Sequence, residues 1–201
     1  MATVTRYPTV DVAVSGTWTT PTNVQADDNA TASVAVAAKN TTYDRENTTY
    51  NFDAAIPADA TIDGVYIEVE HRVSVTAGIA NLESLAYINT TAGAVNANAS
   101  EPTALTQQVF GPYARPGGGS WTRADLLNGV FKTRVRARSG NSATSVTYYW
   151  DYIRVRVEYT LPATEVTKTQ TTDALKYAVG TKGHSSDALL KGEVVKQHGT
   201  D

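Results

Sequence analysis

A jelly-roll-like antiparallel β-sandwich with one short helix and an extended C-terminal repeat tail is the architecture this all-β sequence predicts. Residues 145–160 alternate over their whole length. Tyr149, Asp151, Ile153, Val155, Val157 and Tyr159 fall on one face, and Tyr148, Trp150, Tyr152, Arg154, Arg156 and Glu158 on the other. Side chains along a strand point to opposite faces in turn, so the segment reads as one long, half-buried strand. Residues 65–75 repeat the pattern, with Val65, Ile67, Val69, His71, Val73 and Val75 opposite Tyr66, Glu68, Glu70, Arg72 and Ser74. Long polar segments, rather than two-residue hairpins, separate many of the alternating stretches. Such loops suit strands that cross between two sheets better than an up-and-down barrel.

Taken in order, residues 10–14 form a first strand that Ser15 and Gly16 stop, and Asp27-Asp28-Asn29 is a dense turn signal. Residues 31–38 alternate and read as a second strand, and residues 39–49 as a polar loop around Tyr43, Asp44, Arg45 and Glu46. Tyr50, Phe52 and Ala54 alternate toward Ile56 and Pro57. After the strand at 65–75 come strands at 82–88 and 104–110, separated by an exposed loop of small and polar residues at 90–100. Residues 112–120, with three successive glycines, are a flexible loop. The short helix covers residues 122–129, with Thr122 as its N-cap, Asp125 at its positive end and Gly129 as its stop. Residues 130–138 form the penultimate strand.

The 201 residues allow a core large enough to need no covalent staples, and with no cysteine neither a disulfide nor a thiolate metal site is available. A formal charge of -3 argues against a nucleic-acid partner. The first residues lack an apolar signal-peptide core, and no apolar run approaches membrane-spanning length. The expectation is therefore a protein made in a cytoplasm without a signal peptide and with no membrane partner.

A boundary falls after Leu161, dividing a sandwich at 1–161 from an arm at 162–201. The arm repeats itself: residues 167–175 (TKTQTTDAL) return as 181–189 (TKGHSSDAL), and a truncated third copy ends at Asp201. Fourteen-residue copies are too short to bury a core of their own. Lys168, Asp173, Leu175, Lys182, Asp187, Leu189, Leu190 and Val194 are therefore expected to contact a partner. His184 and His198 stand in the same register and are the candidate metal ligands of a trimer axis, but Gln170 at that register points to hydrogen bonding instead. No metal and no cofactor are expected.

Three segments carry a family resemblance: residues 18–28 (WTTPTNVQADD), 52–65 (FDAAIPADATIDGV) and 151–159 (DYIRVRVEY). Together they resemble sandwich proteins that recur as virion structural components of tailed bacteriophages. The tail is similar to Thr-Lys-Xaa-His repeats appended to phage surface and fibre proteins. The resemblance implies a non-enzymatic virion protein and carries no catalytic residues. Its leading version is a capsid decoration or cement subunit held by its arm, partnered by copies of itself, as in a homotrimer, and by a major capsid or other virion protein. The alternative is a tail-fibre or head-fibre adhesin module that binds host-surface glycans through the loop aromatics Trp18, Tyr43, Tyr113 and Trp121.

Other candidate sites have simpler readings. His71 lies on an apolar face without a nucleophile nearby, as a core histidine would. Glu68 and Glu70 could mimic a glycosidase carboxylate pair, yet cross-strand pairing with Arg134, Arg136, Arg154 or Arg156 accounts for them. Those four arginines would form one basic docking face if the last two long strands were neighbours. Asp27-Asp28-Asn29 offers clustered oxygens to calcium, but a turn is the simpler account of that triplet.

Overall fold

A computed structural model describes residues 1–37, 41–76, 81–140 and 145–162. Eleven strands are present among them: β1 (Ala2–Arg6), β2 (Val10–Ala13), β3 (Ala32–Val36), β4 (Thr42–Thr48), β5 (Thr61–Val73), β6 (Asn81–Ile88), β7 (Thr91–Ala92), β8 (Asn96–Ala97), β9 (Thr106–Phe110), β10 (Phe131–Arg138) and β11 (Val146–Thr160). They pair antiparallel in two sheets. In the five-stranded sheet β5 lies between β11 and β9, while β1 and β3 share the other edge of β11 end to end. β1 lies opposite residues 155–159, and β3 opposite residues 146–150. The six-stranded sheet runs β2-β4-β10-β6, with β7 and β8 on the free edge of β6. Most connections cross from one sheet to the other, as the long polar loops predict. Among the described residues no helix is long and apolar enough to cross a membrane.

The inner faces build the core. Ile67, Val69, Val155 and Val157 are fully buried on one sheet, as are Val135, Ala137, Leu82 and Ala86 on the other. The alternation of β11 is interrupted, however. The register slips between Trp150 and Tyr152, so Asp151 is the extra residue of a β-bulge. Before the bulge the inward residues are Val146, Tyr148 and Trp150; after it they are Ile153, Val155 and Val157. A single strict alternation therefore holds only from Ile153 onward, and Tyr149 faces outward rather than joining the core face.

Other corrections have equally local causes. The polar stretch expected to be a loop at 39–49 contains strand β4, because its polarity is used in the interior. Arg45 and Asn47 point inward, and the Arg45 guanidinium meets Asp11 of β2, with Nε donating to Oδ1 at 2.8 Å. Burial pulls the Arg45 pKa down to about 10. The guanidinium also lies 4.9 Å from the centroid of Trp18, whose ring packs at a tilt against Trp150, centroids 4.4 Å apart. Tyr50 and Phe52 lie outside any strand, since Thr49 and Asn51 take left-handed φ angles of 60° and 56°. Both rings are nonetheless buried, against Phe131 at 5.5 and 6.3 Å. The expected helix at 122–129 is a single 3-10 turn at Arg123–Leu126, closed by the Thr122–Asp125 capping box. A second 3-10 turn, Pro21–Val24, and strand β1 carry too little periodicity to be read from sequence.

Candidate functional site

At one end of the sandwich the residues after β9 fold back over the start of β5. Gly111 has φ +124°, and a Cβ there would sit 2.9 Å from the Val65 carbonyl oxygen, so the close approach requires glycine. Tyr113 N–H then donates to that same carbonyl at 2.9 Å. The Tyr113 hydroxyl bonds Ser84, and Trp121 Nε1 donates to the Tyr113 carbonyl at 2.7 Å. Arg115 makes a two-pronged contact with Asp125, Nε to Oδ2 and Nη2 to Oδ1, both 2.9 Å, and holds the Gly118 carbonyl at 2.8 Å. A cleft of about 400 Å³ results, walled by Ile62, Asp63, Tyr113, Arg115, Ser120 and Trp121. Its size falls within the range of small-ligand sites, and it offers an aromatic wall, a carboxylate, a hydroxyl and backbone groups.

Asp125 keeps this wall in shape. Hydrogen bonds from Arg115, then those from Thr122, hold its carboxyl below the usual range against the opposing effect of burial. A carboxyl whose pKa falls on folding adds stability above its unfolded pKa, and that stability is lost as pH drops through the folded value. Asp125→Asn is accordingly expected to lower Tm by several degrees near about pH 7 and by much less near about pH 3. Thermal melts across that range check it.

A second cluster lies far along β5. Asp27, Glu70 and Asp151 bring carboxylate oxygens within 4.8 Å of one another. The bulge turns Asp151 into this cluster. Its side chain is 0% exposed, and neither of its oxygens has a hydrogen-bond partner among the described residues. Burial, then the carboxylates of Glu70 and Asp27, push its pKa up to about 6. Asp27 is half exposed and lies 3.6 Å from Arg154 Nη1. Asp28 Oδ1 accepts the Ala30 amide at 2.9 Å, the turn bond the sequence suggests. The Gln25–Tyr152 bridge fastens this loop to β11.

The four candidate docking arginines do not form one patch. β10 and β11 lie in different sheets, so Arg134 and Arg136 decorate one outer face and Arg154 and Arg156 the opposite one. Arg134 pairs with Glu46 at 3.1 Å and Arg136 with Asp44 at 3.2 Å. Glu68 takes Arg154 at 2.8 Å and Arg156 at 2.7 Å, and also accepts from Gln107 at 2.9 Å. Burial raises the Glu68 pKa, but the two arginines outweigh it and leave the carboxyl below its ordinary value. Tyr66 stacks on Arg156 at 3.9 Å and Tyr149 on Arg72 at 3.8 Å, so the outer face of the five-stranded sheet is an internally paired lattice.

His71 is buried, with Nδ1 3.1 Å from Glu101 Oε2. Of the four loop aromatics, Tyr113 and Trp121 meet at the cleft, although both are largely buried. Trp18 packs at a tilt against Trp150, and Tyr43 packs against the core. The arm residues Lys168, Asp173, Leu175, Lys182, Asp187, Leu189, Leu190 and Val194, and the histidines His184 and His198, lie outside the described residues. Sequence reasoning missed the joining of Asp27 to Glu70 and Asp151. An acidic residue within an apolar strand face was the available signal.

No protein-family model matches the chain, and no curated protein matches it. Among solved structures, the chain is similar to a CBM4 protein at 13% identity, covering 78% of this chain and 94% of that one, with a TM-score of 0.40. It is also similar to TmCBM61, solved with β-1,4-galactotriose, at 10% identity over 76% and 86%, TM-score 0.35. A third is SGBP-B from a xyloglucan utilization locus of Bacteroides uniformis, at 17% identity over 73% and 44%, TM-score 0.43.

Proposed function

We propose that the chain is a non-catalytic binding module that takes a glycan in the cleft between Asp63 and Trp121, as an adhesin or fibre module would. The observation that carries this reading is the cleft itself: about 400 Å³, with Tyr113 and Trp121 in one wall beside Asp63, Arg115 and Ser120. Sugars present apolar C–H faces rimmed by hydroxyls, and so favour apolar walls with a few fixed polar groups. Here those groups are held before any ligand arrives, by the Arg115–Asp125 clamp and the Trp121–Tyr113 bond. Preorganisation of this kind lowers the ordering cost of binding.

Oligosaccharide titration by calorimetry tests the reading, beginning with β-1,4-galactotriose and xyloglucan fragments. Ser120 is exposed, so Ser120→Trp fills the cleft without entering the core. Asp63→Ala removes the carboxylate. At least one oligosaccharide is expected to bind the unaltered protein, with affinity reduced tenfold or more by either change and Tm held. Silence across the panel, or binding that survives a filled cleft, overturns it.

A further inference from the structure

We propose that Asp27, Glu70 and Asp151 form a binding site for a calcium-type divalent cation that ties the loop before β3 to strands β5 and β11. The site is separate from the cleft. Glu70 lies eight residues along β5 from Ile62, roughly 26 Å at the usual strand rise, and the inference stands whether or not the cleft binds a glycan.

Three carboxylates from three distant parts of the chain converge within 4.8 Å, an arrangement whose mutual repulsion opposes folding unless positive charge enters. The cations nearby do not supply enough of it. Arg154 reaches only Asp27, at 3.6 Å, and its Nε is already bound to Glu68 at 2.8 Å. The independent observation is Asp151. It is 0% exposed, and both its oxygens lack a hydrogen-bond partner, a condition costly for any buried polar group. Its position arises from a bulge that adds nothing to the pairing of β11 with β5 but turns this side chain toward Asp27 and Glu70. A backbone irregularity that delivers an unpartnered carboxylate to two others is accounted for by a ligand lying between them.

The donor set selects the ion. All three side chains offer oxygen, with neither imidazole nor thiolate among them, which suits hard cations and disfavours zinc or copper. Calcium accepts irregular shells of six to eight oxygens, whereas magnesium requires a near-ideal octahedron and sheds water reluctantly. Asp27, half exposed, leaves a way in from solvent, and water and backbone carbonyls complete the shell.

The test uses the full chain with metal ions alone. Terbium is a luminescent stand-in for calcium, and Trp150 and Tyr152 flank Asp151 as sensitisers. One terbium per chain is expected to luminesce and to be displaced by calcium. At a hundredfold excess over its dissociation constant, calcium should raise Tm by about 5–10 °C. In chelator, Asp151→Asn should melt no lower than the unaltered protein, because it removes a buried unpartnered charge, and calcium should not move it. Asp27→Asn, on the exposed side, should weaken calcium binding tenfold or more and serves if the first variant fails to fold. Absence of terbium emission together with a calcium-indifferent Tm overturns the proposal. So does a full calcium shift in Asp151→Asn, or in Asp27→Asn if that variant alone folds.

Discussion

Val155→Asp is expected to abolish folding outright. Val155 is fully buried near the middle of β11, paired with Arg6 on one side and Ile67 on the other, and its side chain enters the core between the sheets. A carboxylate placed there meets no hydrogen-bond donor, and an uncompensated buried charge costs several kcal/mol, comparable to the roughly 5–15 kcal/mol that holds a typical domain together. Loss of the cooperative melt in circular dichroism, with protein recovered only in the insoluble fraction, is the expected result. Thr5→Asp is the control, because Thr5 sits across from Arg156 on the outer face and gains an opposite charge as neighbour. It should keep Tm within about 2 °C of the unaltered protein. A folded Val155→Asp variant would mean the inner and outer faces are exchanged.

Breaking the buried Arg45–Asp11 pair should have the second largest effect. Both side chains are 1% exposed, so removing one leaves the other charged and unpartnered in the interior. Arg45→Met is expected to cost about 3–5 kcal/mol, read as a lower midpoint in urea at unchanged slope. Replacing both, Arg45→Met with Asp11→Leu, should recover most or all of that loss, since apolar packing of similar volume often equals a buried ion pair. If the double variant is no more stable than Arg45→Met alone, the guanidinium contributes chiefly through its stacking on Trp18.

The sequence carries the sandwich where apolar alternation is long, as in β5 and the second half of β11, and fails where one residue breaks the count. Asp151 illustrates both outcomes. Strict alternation places it on the core face, and it is buried, but as a bulge residue whose insertion moves Tyr148 and Trp150 inward. Nothing in a period-two pattern announces an extra residue. β4 was hidden for the opposite reason: its inward residues Arg45 and Asn47 are polar, so a buried strand presents the composition of a loop. The turn chemistry of Thr122 and Asp125 was readable because a capping box is local. The acidic cluster was not, because Asp27 gives no hint of Glu70 and Asp151 until the five-stranded sheet brings them together. The two arginine pairs were separated on the same principle, since adjacency in sequence says little about which sheet a strand joins.

The shared edge of β11 also fixes an order of events during synthesis. β1, β3 and β5 all pair with β11, the last of the described strands to leave the ribosome. Ala2 must therefore wait for Tyr159, roughly 8–30 s at about 5–20 residues per second. The neighbouring sheet waits nearly as long: β2 and β4 can pair early, but β4 and β6 both need β10, which is complete only once Arg138 has emerged. For that interval the nascent chain carries strands whose edges have no native partner, which is the condition under which β-rich chains mispair with one another. The sandwich is thus closed only after synthesis has passed Thr160, and a helper that shields early strands should raise the yield of folded protein more than one acting on the finished chain.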